Sequence, residues 1–124
     1  MVYHFEELEV WKDSKNLVVD IYSELRDLHD FDFKSQIQRA SVSIMNNIAE
    51  GFDRNKNDDS NKSFIYFLNI SYGSCGEVRS MLYLAEELGY IDCVKSVALR
   101  NRCKMISNKL YALIQVLQNN SKPR

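Results

Sequence analysis

The sequence is poor in the residues that build tight turns, disulfide frameworks and membrane spans. It has 4 Gly and 1 Pro among 124 residues, too few for a β-sandwich or barrel, which needs a turn about every ten residues. No apolar run approaches the roughly 18 residues of a membrane helix. The 3 Cys are odd in number and include no CxxC pair, and no apolar signal segment follows the charged start of the chain. These absences predict a soluble helical protein of the reducing cytoplasm.

Side chains that catalyse reactions or bind metals are also scarce. The 2 His, His4 and His29, fall at the start of the chain and in a predicted loop, so the Glu-x-x-His pairs of di-iron bundles are absent. Cys93 and Cys103 have no His close in sequence to generate a thiolate, and we interpret them as small buried hydrophobic residues. Glycine-rich phosphate loops and the nucleophile elbow are missing. The sequence therefore predicts a protein that is not an enzyme and binds neither a metal ion nor a cofactor.

Apolar residues are abundant and recur at helical spacing. They make up 45% of the chain, enough for one core in a single domain of residues 1–124. Steps of three and four between apolar positions predict helices over residues 7–28, 34–52, 60–88 and 92–118. Because the first and third links between helices are short, the pattern favours an all-α, antiparallel up-down-up-down four-helix bundle.

Glycine and Asp positions predict helix ends and close contacts. Gly51 and Gly89 are suited to end the second and third helices, because glycine adopts the left-handed conformation without strain. Gly73 and Gly76 lie inside the third helix, where each costs about 1 kcal/mol relative to Ala. We expect close packing of another helix to offset that cost. Asp92 is the predicted N-cap of the fourth helix.

The run of residues 53–63 is polar throughout and is the longest predicted loop. Its end supplies a cap for the third helix, because carboxylate and hydroxyl oxygens accept hydrogen bonds from the first free amides of a helix. Asp58, Asp59 and Ser60 are equally suited to that position.

The fourth predicted helix carries two apolar stripes. One consists of Leu99, Cys103, Ile106, Leu110, Leu113 and Leu117, and the other of Val94, Ala98, Met105, Ala112 and Val116. A helix of a bundle needs one such stripe to face the core. The second stripe predicts contact with another copy of the chain in a cyclic assembly.

Charge is distributed unevenly along the chain. Residues 1–91 hold 9 Lys and Arg against 16 Asp and Glu, a net charge of −7, whereas residues 92–124 hold 7 against 1, a net charge of +6. The basic residues of the fourth helix are Lys95, Arg100, Arg102, Lys104 and Lys109. Because the predicted topology places the first helix beside the fourth, its acidic residues are one counterpart for these cations. The alternative is a basic face that stays free for a polyanion.

A polar stripe follows the second helix beside its apolar stripe. It contains Gln36, Arg39, Ser43, Asn47 and Glu50, and the third helix offers Ser71, Ser74 and Glu77 at similar spacing. One interpretation is a solvated face. The other is a partly buried structural network in which Arg39 pairs with Glu77 or Glu50, because an unpaired buried charge is costly.

Three strings of the sequence resemble one known family. They are FEELEVWKDSKNLVVDIY at residues 5–22, QIQRASVSIMNNIAEGFDR at 36–54 and FIYFLNISYGSCGEVRSMLYLAEELGYI at 64–91. The family consists of four-helix bundle proteins encoded in intervening sequences of bacterial 23S rRNA genes, and the resemblance spans residues 5–115. It implies an antiparallel bundle that assembles as a ring, commonly a pentamer. A related branch, the accessory protein of diversity-generating retroelements, assists a reverse transcriptase and binds nucleic acid through a basic surface.

The sequence leaves two functional hypotheses open. In the first, a ring-forming protein binds RNA or DNA through the basic side chains of the fourth helix, with an affinity that falls steeply as salt rises. In the second, the chain is a self-assembling scaffold or adaptor for a protein partner, and its charges pair within or between subunits. Neither hypothesis involves a membrane.

Overall fold

The computed structural model describes residues 1–121, which form helices and the turns that join them. Four α-helices span Glu9–Glu24 (α1), Phe31–Arg54 (α2), Lys62–Glu87 (α3) and Cys93–Asn119 (α4). Short 3-10 turns, Phe5–Glu7 and Asn55–Asn57, precede α1 and follow α2. The described residues contain no β-strand, which confirms the all-α class, and none of their helices has the length and apolar character needed to cross a membrane.

The helices form an antiparallel up-down-up-down bundle, as predicted. α1 and α3 each pack against both α2 and α4, so the four helices follow one another around a common core. The direction of α1 relative to α4 is visible in their ion pairs. Lys95, at the start of α4, pairs with Glu24 at the end of α1, and Lys109, in the second half of α4, pairs with Glu9 at the start of α1.

The core is filled by one apolar stripe from each helix. Its fully buried members include Leu17, Ile21, Ile37, Ile44, Ile48, Leu68, Val78, Leu82, Ile106 and Leu110. Burying a side chain of this kind stabilises a fold by about 1.5–3 kcal/mol. Leu8 and Trp11 are half-buried and pack against the edge of this core.

The first helix is shorter than predicted and the second is longer. α1 ends at Glu24 and α2 begins at Phe31, against predicted positions 28 and 34. The early start of α2 is explained by Asp30, whose Oδ1 accepts a hydrogen bond from the Phe33 amide at 3.2 Å and caps the helix. The Tyr90 hydroxyl, between α3 and α4, donates to the other Asp30 oxygen at 2.6 Å. The bounds of α3 and α4 agree with the prediction within two residues.

The link between α2 and α3 is shorter than the predicted loop of residues 53–63, because α2 continues beyond Gly51 and a 3-10 turn follows it. Two of the three predicted capping residues accept hydrogen bonds from backbone amides at the start of α3. Asp58 accepts a hydrogen bond from the Ser63 amide at 3.4 Å, and Ser60 accepts one from the Lys62 amide at 3.3 Å.

Gly51 lies at a close contact between helices, whereas Gly73 and Gly76 do not. The prediction that Gly51 ends the second helix is wrong, and so is the prediction that another helix packs closely against the α3 glycines. Gly51 lies buried inside α2, where an added Cβ would sit 2.8 Å from the Cβ of Phe67 and 3.1 Å from the ring of Phe64. Glycine is required there because any side chain would hold α2 and α3 apart. Gly73 and Gly76 are exposed, and an added Cβ meets nothing within 4 Å.

The turn between α3 and α4 has the predicted capping residues. Gly89 adopts φ 75°, the left-handed conformation that follows the end of a helix. Asp92 accepts a hydrogen bond from the Lys95 amide at 2.9 Å, as an N-cap does.

Candidate functional site

Lys109 of α4 is held between two carboxylates of α1. Its Nζ lies 2.6 Å from Asp13 Oδ2 and 2.5 Å from Glu9 Oε1. The hydrogen bonds to Asp13 and Glu9 raise the pKa of Lys109 above its usual range, because they favour the charged ammonium. Lys109 is therefore a cation paired within its own chain.

The same pairing repeats along the contact between α1 and α4. Arg102 Nη1 lies 2.5 Å from Asp20 Oδ2, and Lys95 Nζ lies 3.3 Å from Glu24 Oε2. Residues seven apart share one face of a helix, so Lys95, Arg102 and Lys109 form a row that the acidic face of α1 covers. We call these three cations and their four carboxylate partners the α1–α4 ion-pair row.

The two remaining basic residues of α4 lie outside this row. Arg100 turns toward α3, where its Nη2 lies 3.2 Å from Glu86 Oε1 and its guanidinium lies 3.9 Å from the centre of the Tyr83 ring. Its side chain is only 11% exposed. Lys104 is exposed and makes no ion pair within residues 1–121. Four of the five predicted nucleic-acid-binding residues thus form ion pairs within the chain.

The second apolar stripe of α4 lies on the outside of the bundle. Val94, Met105 and Val116 are 80%, 57% and 52% exposed, and Ala98 and Ala112 on the same side are also exposed. We call these five residues the α4 outer stripe. A row of apolar side chains on a subunit surface marks a candidate contact site. The other stripe faces the core, where its buried members are Leu99, Cys103, Ile106 and Leu110.

α3 presents another exposed apolar surface, which the sequence periodicity did not predict. Tyr66 and Ile70 are exposed near its start, and Leu84 and Leu88 near its end. Since 18 residues make five helical turns, Leu84 lies directly in line with Tyr66. We call these four residues the α3 outer face. The signal that could have indicated it is that these four apolar residues lie outside the stripe of α3 that faces the core.

A polar groove of about 540 Å³ separates the outer parts of α2 and α3. It is lined by Asp32, Ser35, Gln36, Arg39, Ala40, Ser43, Ser74 and Glu77, and we call it the α2–α3 groove. The hydroxyls of Ser43 and Ser74 hydrogen-bond at 2.9 Å across it, and Asn47 donates to the Ser43 hydroxyl at 2.9 Å. Below them the buried Ser71 donates to the Ile44 carbonyl at 2.8 Å. Of the predicted network, hydrogen bonds thus join Ser43, Asn47 and Ser74.

The charged members of the predicted network remain in solvent. Arg39, Glu50 and Glu77 are exposed, and within residues 1–121 neither Arg39 nor Glu77 makes an ion pair. Glu50 pairs instead with Arg54 along the outside of α2, at 3.1 Å. The interpretation in which Arg39 pairs with Glu77 or Glu50 in a partly buried network does not hold, because all three side chains are exposed and neither pair forms. The hydrogen-bonded network consists of neutral side chains.

The remaining candidates for chemistry are dispersed. Cys103 is buried, as interpreted from the sequence, but Cys93 is exposed at the first residue of α4, so its interpretation as a buried residue is wrong. In the part of the chain that the structure describes, no three His, Cys, Asp or Glu side chains are grouped so that they would hold a metal ion.

Comparison with known proteins identifies the family. The family model of the 23S rRNA-intervening sequence protein matches residues 6–112. The chain is also similar to the crystal structure of a protein of unknown function from the S23 ribosomal protein family of Bacteroides thetaiotaomicron VPI-5482, with a TM-score of 0.75 and 27% identity over 85% of this chain and 97% of that chain. Comparison with curated proteins gives no match. The helical bundle and the matched span together show that this chain belongs to the 23S rRNA-intervening sequence protein family.

Proposed function

We propose that this chain is a non-enzymatic, self-assembling bundle protein that serves as a scaffold or adaptor for a protein partner. The observation that carries the proposal is the α1–α4 ion-pair row, in which the cations of α4 already have carboxylate partners inside one subunit. Binding to nucleic acid depends on cations that are free to displace the counterions of phosphates. Internal pairing and a net charge of −1 favour a protein partner over a polyanion.

Self-assembly is supported by two unlike apolar surfaces, the α4 outer stripe and the α3 outer face. They lie on neighbouring helices of one subunit. A contact between the α4 outer stripe of one copy and the α3 outer face of the next is heterologous. A heterologous contact forms a ring when the rotation between neighbouring copies closes on itself. The family resemblance favours five copies in that ring.

The α2–α3 groove is the surface that we assign to the protein partner. It presents charges of both signs, because Arg39 lines it together with Asp32 and Glu77. The two carboxylates would repel a polyanion, whereas a polypeptide offers both a carboxylate for Arg39 and an amine for Glu77. The mixed charge of the groove therefore matches a protein better than a nucleic acid.

Light scattering coupled to size-exclusion chromatography tests the assembly. The wild type at micromolar concentration is expected to have a mass several times the 14.5 kDa of one chain. The double variant Met105→Glu/Val116→Glu is expected to be a monomer, because it would bury unpaired carboxylates between subunits. Val19→Glu is the matched control, since Val19 is equally exposed on α1 but lies outside both surfaces. A wild-type monomer at every concentration would contradict the proposal.

Gel-shift titration with structured RNA and duplex DNA tests the competing hypothesis. A nucleic-acid-binding α4 would give a wild-type complex at low salt, and the triple variant Lys95→Ala/Arg102→Ala/Lys109→Ala would lose it. We expect no salt-sensitive complex with the wild type. A complex that the triple variant abolishes would replace the scaffold by a nucleic-acid-binding function.

A further inference from the structure

The α3 outer face and the α4 outer stripe share one spacing of apolar residues. Each surface carries an apolar pair at both of its ends, and the two members of a pair lie four residues apart. The pairs are Tyr66 with Ile70 and Leu84 with Leu88 on α3, and Val94 with Ala98 and Ala112 with Val116 on α4. Each surface extends over 22 residues, or about 33 Å of helix. Two helix faces of equal length and spacing can pack side by side from end to end.

Large side chains lie opposite small ones when the two surfaces are aligned end to end. Because the spacing is the same in both directions, the alanines of the α4 outer stripe face Ile70 and Leu84 of the next copy whether the helices run parallel or antiparallel. The valines face Tyr66 and Leu88 in the same way. Packing a large side chain against a small one fills a contact without voids or overlap. The α3 outer face therefore fits the α4 outer stripe better than it fits a second copy of itself.

Opposite charges lie at the centres of the two surfaces. Glu77 is seven residues from both Ile70 and Leu84, so it lies on the same side of α3, midway along the α3 outer face. Lys104 is next to Met105, the middle residue of the α4 outer stripe. Both charged side chains are exposed, and neither makes an ion pair within residues 1–121. A charge that a contact covers is costly unless an opposite charge pairs with it.

We propose that the α4 outer stripe of one copy covers the α3 outer face of the next copy in the register that aligns their centres, where Lys104 pairs with Glu77 of the neighbouring copy. This inference rests on the self-assembly of the proposed function and adds its register and its ion pair. The neighbouring copy then provides the amine for Glu77 at the α2–α3 groove, and Arg39 and Asp32 remain for the protein partner.

The same two charges disfavour contacts between like surfaces. Two α3 outer faces aligned at their centres would bring two Glu77 carboxylates together, and two α4 outer stripes would bring two Lys104 ammonium groups together. Like charges that meet in a contact repel each other. The charge pattern therefore favours the heterologous contact, in which every copy uses both surfaces, over a two-fold dimer that uses only one.

Charge reversal of the full chain tests this register, with light scattering coupled to size-exclusion chromatography over a dilution series. Glu77→Lys and Lys104→Glu should each raise the concentration at which half of the chains are assembled by about tenfold or more, because like charges then meet in the contact. The double variant Glu77→Lys/Lys104→Glu should return it to within about threefold of the wild type, because the pair is restored with its signs exchanged. The controls Lys12→Glu and Asp27→Lys reverse exposed charges outside both surfaces and should assemble like the wild type.

The outcomes separate this register from the proposed function. A wild type that is monomeric at every concentration would contradict self-assembly itself. If the wild type assembles and the two single variants assemble equally well, the ion pair is overturned while self-assembly stands. A double variant that assembles no better than the single variants would also overturn the pair, because two charges in contact should compensate each other.

Discussion

The contact between α2 and α3 and the contact between α1 and α4 hold the same bundle together by different means. Of the four neighbouring helix pairs, α2 and α3 make the most extensive contact and α1 and α4 the least. The first contact depends on the close approach at Gly51 and on neutral hydrogen bonds, of which the one from Ser71 to the Ile44 carbonyl is buried. The second depends on the α1–α4 ion-pair row. The comparison shows that the ion pairs between α1 and α4 occupy the cations Lys95, Arg102 and Lys109. The close packing of α2 against α3 leaves Arg39 and Glu77 without ion pairs in the described chain.

The largest effect is expected where α2 and α3 approach most closely. Gly51→Leu should lower the free energy of unfolding by about 3 kcal/mol, because overpacking a buried contact costs roughly 1–3 kcal/mol and the nearest atom is a Cβ that has no freedom to move aside. Gly76→Leu is the matched control, a glycine inside α3 with open space around it. This variant should raise the free energy of unfolding by about 0.5–1 kcal/mol, because leucine has a higher helix propensity than glycine. Urea unfolding of the two variants measures the difference, and equal effects would show that Gly51 is not at a tight contact.

A smaller loss is expected from the neutral hydrogen bonds below the α2–α3 groove. Ser71→Ala removes the donor to the Ile44 carbonyl from a fully buried position and should cost about 1 kcal/mol. Ser80→Ala, at an exposed position of the same helix, should cost nothing. Urea unfolding of both variants measures their free energies of unfolding and so compares the two losses. A loss for Ser71→Ala no larger than that of the control would mean that the Ser71 hydroxyl contributes nothing to stability.

Breaking the α1–α4 ion-pair row should cost less than breaking the α2–α3 contact, and the cost should depend on salt. Lys109→Gln loses both carboxylate contacts and should destabilise by up to about 1 kcal/mol at low ionic strength, because the pair is partly exposed. Screening should shrink that loss in high salt. Lys104→Gln is the control, a cation without an ion pair in the described chain. A salt-independent loss for Lys109→Gln would mean that its alkyl chain, rather than its charge, stabilises the contact.

The smallest effect is expected for the hydrogen bond from Tyr90 to Asp30, which joins the α3–α4 link to the α1–α2 link. The hydrogen bonds from Tyr90 and from the Phe33 amide lower the pKa of Asp30 below 3.8, so the ionised form stabilises the fold above that pH. The contribution is lost as the pH falls through the lowered pKa. Tyr90→Phe should therefore be less stable than the wild type at about pH 6, and the difference should shrink as the pH falls below the usual range of an aspartate pKa. The urea midpoints of both proteins measure this, and a difference that persists unchanged in acid would show that the contribution of the Tyr90 hydroxyl does not depend on the charge of Asp30.

Sequence patterns predicted the elements of this fold better than the contacts between them. The spacing of residues such as Ile37, Ile44 and Ile48 specifies a helix and its buried side, because that information is local. The role of Gly51 is not local, since it depends on Phe67 of another helix. The pairing of Lys109 with Glu9 likewise joins residues 100 positions apart. The charge counts allowed that pairing and a free basic face equally, and only the packing of α1 against α4 distinguishes them.

The central claim is that α1 occupies the cations of α4, and a nucleic-acid gel shift with α1 neutralised tests it most directly. The variant Glu9→Gln/Asp13→Asn/Asp20→Asn/Glu24→Gln removes the acidic half of the α1–α4 ion-pair row. The control Glu6→Gln/Asp27→Asn/Asp59→Asn/Glu87→Gln makes the same change in net charge at exposed positions outside the row. The α1 variant is expected to gain salt-sensitive binding to duplex DNA that the wild type and the control lack, because its cations become free for phosphates. Equal binding by the wild type and the α1 variant, or by the two variants, would contradict the claim.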